Sequence, residues 1–406
     1  MKRMNEFPEK SFLILEDGTV FEGIPIGARK EIISEIVFNT SMAGYPEVLT
    51  DPSYAGQAVC MTYPLIGNYG VCRDDMESKR PWPDGFIVRE LSRISSNFRS
   101  DMTIQEFLEE YEVPGIAGID TRALTKVLRE KGTMNGMITT RDDYDLDAII
   151  PRLKNHSAGK VVEKVTCVHK YEIKGARTLE ENGAVSGGAR FDKEAYEKGI
   201  HEKTPSLVKI LNGAGQKVAL LDLGAKDNIA DALVKRGCDV TVYPALTKAE
   251  EIIADGPDGI MLSNGPGDPK ECASIIEEIK KLYHTNIPIF AICLGHQLMA
   301  LATGADTFKM KYGHRGGNHP VKDLQTGRVY ISSQNHGYVV DMDKLDPKIA
   351  VPAFINVNDE TNEGLSYTGK NIFTVQFHPE ACPGPQDSGY LFDRFIDMMK
   401  ARKEDA

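Results

Sequence analysis

From Lys217 onward, short apolar runs alternate with longer stretches whose apolar residues recur at helical spacing. The runs at 217–223, 239–243, 258–262 and 287–292 read as buried strands, and those at 328–332 and 372–377 continue the series. Between them, the stretch from Ala225 to Lys235 sets Ile229, Leu233 and Val234 on one side and closes at Gly237. The stretch from Lys270 to Tyr283 does the same with Ile275, Ile276, Ile279 and Leu282. Strands that are apolar throughout, joined by amphipathic helices, predict an α/β domain on an open, mostly parallel sheet with helices on both faces.

The first part of the chain has a different texture. Phe12-Leu-Ile-Leu and Thr19-Val-Phe flank an Asp17-Gly18 turn, the pattern of a hairpin. Further on, Asp120 can cap a helix over Thr121–Lys131 that places Leu124, Val127 and Leu128 on one face and ends before Gly132. This predicts a mixed α/β domain over 1–170. Between 171 and 215 the chain turns to Lys, Glu, Gly and Ala with neither period, and reads as a linker or surface insertion ahead of the second domain at 216–402. A chain of 406 residues exceeds what one core supports, which agrees with two domains.

Composition removes several function classes. With 48 basic against 59 acidic side chains, the net charge of −11 repels a phosphate backbone, so no nucleic-acid partner is expected. No apolar run reaches the ~18 residues that span a bilayer, and the opening MKRMNEFPEK lacks a signal-peptide core, so neither membrane nor secretion is expected. Seven scattered cysteines without a C-x-x-C pair suit a reducing cytoplasm.

The chemistry gathers at three places. Ile287-Pro-Ile-Phe-Ala-Ile-Cys293-Leu294-Gly295 is a buried strand entering a helix with a cysteine at the turn. A nucleophile on so sharp an elbow needs small residues two positions to either side, and Ala291 and Gly295 supply them. The following helix aims free amides at the sulfur and favours the thiolate. An unpaired cysteine at a strand end is, by itself, more often a small buried hydrophobe. The second motif, Val375-Gln-Phe-His378-Pro-Glu380, follows another strand, and Glu380 can bond one imidazole nitrogen while the other faces Cys293. The third, Leu262-Ser-Asn-Gly265-Pro-Gly267-Asp-Pro269, is a rigid loop at the carboxyl end of a neighbouring strand, suited to presenting amides to an oxyanion. As a plain turn it would carry no chemistry.

Two other motifs are set aside. Gly364-Leu-Ser-Tyr-Thr-Gly369-Lys370-Asn371 approaches a phosphate loop, but Asn371 replaces the Mg-binding hydroxyl and a strand follows, which predicts a hairpin turn instead. His314 and His319 flank Arg-Gly-Gly-Asn without cysteine or carboxylate at zinc spacing, so no metal is expected there.

Cys293-Leu-Gly-His-Gln with His378-Pro-Glu380 resembles the triad-type glutamine amidotransferase domains, which implies a flavodoxin-like sheet. More narrowly, Leu262-Ser-Asn-Gly-Pro-Gly-Asp-Pro, Gly313-His-Arg-Gly-Gly-Asn-His-Pro-Val and Ser333-Gln-Asn-His-Gly resemble the small-subunit family of carbamoyl-phosphate synthetases. That resemblance extends through the first domain in Phe38-Asn-Thr-Ser-Met-Ala-Gly-Tyr, Leu49-Thr-Asp-Pro-Ser-Tyr, Ile66-Gly-Asn-Tyr-Gly, Ser96-Asn-Phe and Gly118-Ile-Asp-Thr-Arg. It implies Cys293, His378 and Glu380 as the triad. It also implies Ser53, Gly265, Gly267, Leu294, Gln297, Asn335, Gly337 and Tyr338 as the residues around L-glutamine. It implies a large synthetase subunit as partner, with ATP and Mg on that subunit and no cofactor in this chain. Ala291 in place of a frequent glycine, and Cys382 in place of serine, are departures that remove no catalytic group. An amidotransferase of another synthase, a silent regulatory subunit and a cysteine peptidase are the competing readings.

Overall fold

A computed structural model describes residues 9–175, 215–381 and 383–404. Most of the segment read as a linker, 176–214, and also Cys382 lie outside the described residues. The chain divides into two compact units, Met1–Gly159 and Lys160–Ala406. The boundary near 170 drawn from composition falls inside the second unit, because Tyr171–Ile173 adds an antiparallel edge strand to its sheet.

In the first unit seven strands close into a barrel, in the order Ser11–Leu15, Val20–Gly27, Pro114–Ala117, Gly85–Ile87, Gln57–Met61, Ile32–Asn39 and Met134–Thr139. The hairpin at Asp17-Gly18 forms as its sequence requires. Ile32–Asn39, Gln57–Met61, Gly85–Ile87 and Pro114–Ala117 run parallel, and parallel neighbours need crossovers of the kind the helices Tyr45–Thr50 and Ile104–Glu110 occupy. Val37, Val59 and Phe86 from these strands pack with Phe107 and Leu108 in one core. The helix Thr121–Lys131 begins at Asp120, whose carboxylate accepts from the Ala123 amide, and buries Leu124 and Leu128.

Among its described residues, the second unit is a ten-stranded open sheet. Its parallel part runs Asp239–Pro244, Lys217–Asp222, Gly259–Leu262, Ile289–Ile292, Ile372–Val375. Side chains alternate across it: Ala219, Leu221, Ile289 and Ala291 join one core, and Val218, Leu220, Phe290 and Ile292 the other. Helices Ala249–Ala254, Ala273–Tyr283 and Leu294–Ala302 cover the first face, and Asp227–Val234 and Tyr390–Glu404 the second. Beyond Ile372–Val375 the sheet continues antiparallel through Asn362–Tyr367, Ala350–Asn356, Asp306–Asp323 and Val329–Asp341. The turn between Asn362–Tyr367 and Ile372–Val375 is the hairpin expected where the phosphate-loop lookalike stands. The long hairpin of Asp306–Asp323 and Val329–Asp341 has no counterpart in the apolar pattern beyond 328–332. Gly, His and charged residues interrupt the apolar positions of Asp306–Asp323, and two register shifts break the hairpin's alternation.

This topology places the site. The chain passes from Lys217–Asp222 to one side and returns to Gly259–Leu262 on the other, so a crevice opens at the carboxyl ends between them. Leu223–Lys226, Ser263–Pro269, Cys293 and Gln376–Glu380 all leave neighbouring strands at that edge. Among the described residues, no helix is long and apolar enough to cross a membrane.

Candidate active site

Cys293 stands between the strand Ile289–Ile292 and the helix Leu294–Ala302 with φ 52° and ψ −104°. A side chain is rarely tolerated there, and such strain persists only where the surroundings over-determine it. Here the Cys293 amide donates to the Val375 carbonyl at 2.8 Å, and the Gly295 amide to Ser263 at 3.0 Å. Gly295 is required because a Cβ at that position would stand 2.6 Å from the Leu262 carbonyl oxygen. The elbow therefore locks onto both flanking strands. The Leu294 amide is the first of the helix and has no partner within it, so the positive helix end lies beside the sulfur.

His378 follows Ile372–Val375, and its backbone bridges to Ser333, with the amide donating to the Ser333 carbonyl at 2.9 Å. Its Nδ1 lies 2.6 Å from Glu380 Oε1, close enough for a charge-assisted bond that fixes the ring. Nε2 is buried and forms no hydrogen bond of ordinary geometry among the described residues. Burial works against an imidazolium, but the Glu380 carboxylate and the neighbouring Cys293 outweigh it and lift His378 to about 10. His378 is thus held as the cation at neutral pH, in the state that can give a proton.

Glu380 is itself anchored. Lys226 Nζ lies 3.2 Å from Glu380 Oε1 and donates to the Ala381 carbonyl at 2.7 Å, all within the protein interior. Burial raises the carboxyl, yet the charges of Lys226 and then His378 bring it down to about 2. The Lys226 amide donates to Asn264 Oδ1 at 3.0 Å, which ties this anchor to the glycine loop.

The remaining expected residues lie in the second unit, with one exception. The Cys293 thiol donates to the Asn335 carbonyl at 3.7 Å. Gln297 Nε2 donates to the Tyr338 carbonyl at 2.8 Å and to Gln376 Oε1 at 2.9 Å, so its amide braces the hairpin. At Gly265 a Cβ would stand 2.1 Å from the Leu223 carbonyl oxygen, and Gly267 adopts φ +92°. Gly337 leaves space that a Cβ would close to 3.1 Å from Arg315 Nη2. Ser53 belongs to the first unit, in the turn Pro52–Tyr54, where its amide donates to Asp51 Oδ1 at 2.9 Å.

Two family models match the chain: carbamoyl-phosphate synthase small chain, CPSase domain, over residues 13–138, and glutamine amidotransferase class-I over 219–398. The carbamoyl phosphate synthase small chain of Listeria monocytogenes is 46% identical over 395 residues, covering 97% of this chain and 98% of that one. The chain belongs to the carbamoyl-phosphate synthase small chain family. The small chains of Fusobacterium nucleatum and Clostridium perfringens are each 47% identical, covering 95% of this chain and 96% and 99% of theirs.

Within this small chain, Lys226 is the site residue that the motifs did not single out. It lies in Leu223-Gly-Ala-Lys226-Asp, directly after a parallel strand, and a lysine at that edge of the sheet is the signal that marks it. Its burial could not be read from sequence, since lysine is almost never fully buried unless paired.

Proposed function

We propose that this chain is the glutamine-hydrolysing subunit of a carbamoyl-phosphate synthase. The observation that carries the reading is a strained buried cysteine on the same edge of the sheet as a histidine whose ring is fixed by a buried carboxylate at 2.6 Å. In the proposed reaction the Cys293 thiolate adds to the side-chain carbonyl carbon of glutamine. The Leu294 amide and the amides of the 263–269 loop take the oxyanion, an interaction whose loss typically lowers kcat ~10² to 10³-fold. His378 protonates the departing ammonia and the glutamyl thioester remains on sulfur. A water then gives its proton to His378 and attacks the thioester, glutamate leaves, and the thiolate is restored. Glu380 holds the ring orientation throughout, and Lys226 holds Glu380.

Gly265, Gly267, Gln297, Asn335, Gly337 and Tyr338 are proposed to surround the amino-acid end of glutamine, where polar side chains and backbone groups suit a zwitterion. Ser53 enters that set on the family resemblance alone. Free ammonia would be protonated and diluted at neutral pH, which favours direct transfer to a large subunit carrying ATP, Mg and bicarbonate. A reducing, cytoplasmic setting suits a mechanism that runs on a free thiol.

The expected behaviour is specific. The purified chain hydrolyses glutamine slowly and makes no carbamoyl phosphate even with ATP and bicarbonate, and its large subunit restores both rapid turnover and synthesis. Glutamate release and carbamoyl phosphate formation, assayed with and without the large subunit, check this. ATP-dependent synthesis by the isolated chain would overturn the division of labour.

A further inference from the structure

Behind the strand that carries Asn335 and Gly337 lies a buried polar chain that the proposed reaction does not use. In a strand, successive side chains face opposite ways, so Gln334 and His336 point away from the face of Asn335 and Gly337. Gln334 Nε2 donates to Glu363 Oε1 at 2.8 Å, and Asn356 Nδ2 donates to the same oxygen at 2.9 Å. His314 Nδ1 lies 3.5 Å from that oxygen, while its Nε2 lies 2.8 Å from Asp359 Oδ2. His336 Nε2 lies 3.1 Å from Gln334 Oε1, and its Nδ1 donates to the Tyr338 carbonyl at 2.8 Å. Glu363, Gln334, Asn356, His314 and His336 are all buried. Sequence spacing offered His314 no carboxylate, because both of its acidic neighbours arrive through the fold from the turn and strand that follow Asn356.

The connections run in two directions. Through its side chain Glu363 holds the strand that bears Asn335, Gly337 and Tyr338. Through its backbone carbonyl it accepts from the Gln376 amide at 2.9 Å, two residues before His378. A buried carboxylate with a histidine is weak evidence for stability, since apolar side chains of similar volume often pack as well or better. Buried polar groups are justified more often by the geometry they fix. Burial pulls His314 down, yet its bonds to Asp359 and Glu363 raise it to about 9, so the charges here are mutually supported.

We propose that Glu363 is a positioning residue for glutamine. With His314 and Gln334 it sets the register and height of the Asn335–Tyr338 segment, and it acts on substrate affinity through that segment while leaving the triad's chemistry alone. The inference rests on the glutamine reading above.

The test uses the chain assembled with its large subunit and the variants Glu363→Leu and Glu363→Gln. Leucine keeps the volume but removes the acceptor that Gln334 and Asn356 share and the charge beside His314, so KM for glutamine is expected to rise at least about 10-fold while kcat changes less than about 3-fold. Glutamine at 363 retains an acceptor for Gln334 and Asn356, so KM is expected within about 3-fold of wild type. Alkylation of Cys293 by iodoacetamide, which needs no substrate site, stays unchanged in both. Gln334→Met breaks the same link from the other side, and carries the same expectation should the leucine variant fail to fold. A KM unchanged in the leucine and methionine variants overturns the proposal. So does a parallel loss of kcat, alkylation rate and melting temperature, which would make Glu363 a merely structural residue. A wild-type complex without glutaminase activity refutes the glutamine reading itself, an outcome distinct from either.

Discussion

Cys293→Ala is expected to lower glutamine turnover by at least ~10⁴-fold while the chain stays folded, since removing a covalent nucleophile takes away the whole two-step route. The buried thiols among the described residues are poor substitutes. Among the described cysteines, Cys60, Cys167, Cys238 and Cys272 are held as thiols by burial, which raises each far above its ordinary value. The elbow should survive the substitution. Alanine keeps the Cβ and the backbone bonds from Cys293 to Val375 and from Gly295 to Ser263, and it loses only a sulfur from a small site. Glutamate release together with a thermal melt separates the two effects. Turnover by the alanine variant within about 10-fold of wild type would make Cys293 structural.

Lys226→Met is expected to remove most of the activity although Lys226 touches none of the reacting atoms. Breaking a buried ion pair from one side leaves the other charge stranded, which costs ~3 to 5 kcal/mol. The stranded group is Glu380, buried and lying 3.2 Å from Lys226 Nζ. Without the lysine Glu380 keeps only His378 as a cationic partner, and the loss of its anchor loosens the hold on His378 Nδ1. Loss of the orienting carboxylate in a triad typically lowers kcat ~10⁴-fold, and the lysine variant should approach that figure.

The pH dependence follows from the same pair. Glu380 is depressed to about 2 in the folded chain, so its contribution is present above the unfolded carboxylate range near 4.5 and fades as pH falls towards 2. Lys226→Met removes the largest charge that depresses it, so acid unfolding should begin at higher pH. The double variant Lys226→Met with Glu380→Gln should regain much of the stability and none of the activity. Urea unfolding and glutaminase assays on the two variants check this. A single variant with wild-type kcat/KM would show that Lys226 does not hold the triad.

How much of this was written locally can be judged element by element. The parallel half was legible because its strands are short, apolar and bounded by Gly, Asp and Pro, and the run at 217–223 differs from the observed Lys217–Asp222 by one residue. The elbow was legible because its crowding dictates small neighbours, and His378-Pro-Glu380 because both side chains lie within one turn. Closure of the first unit was not. It depends on Ser11–Leu15 pairing with Met134–Thr139, a contact that no local pattern announces. Of the long hairpin only the run at 328–332 is legible in the sequence, because its irregular register blurs the period that identifies a strand. Lys226 and Glu363 escaped for a common reason. A charged residue reads as solvent-facing until the fold supplies its partner; Glu380 lies far from Lys226 along the chain, and the partners of Glu363 sit on other strands.

If glutamine passes through a thioester on Cys293, mass analysis of the acid-quenched complex during turnover detects it. A glutamyl adduct is expected on the peptide containing Cys293, absent from Cys293→Ala and lost when glutamine is exhausted. Steady glutamate release with that peptide unmodified, or an adduct that survives in the alanine variant, would contradict it.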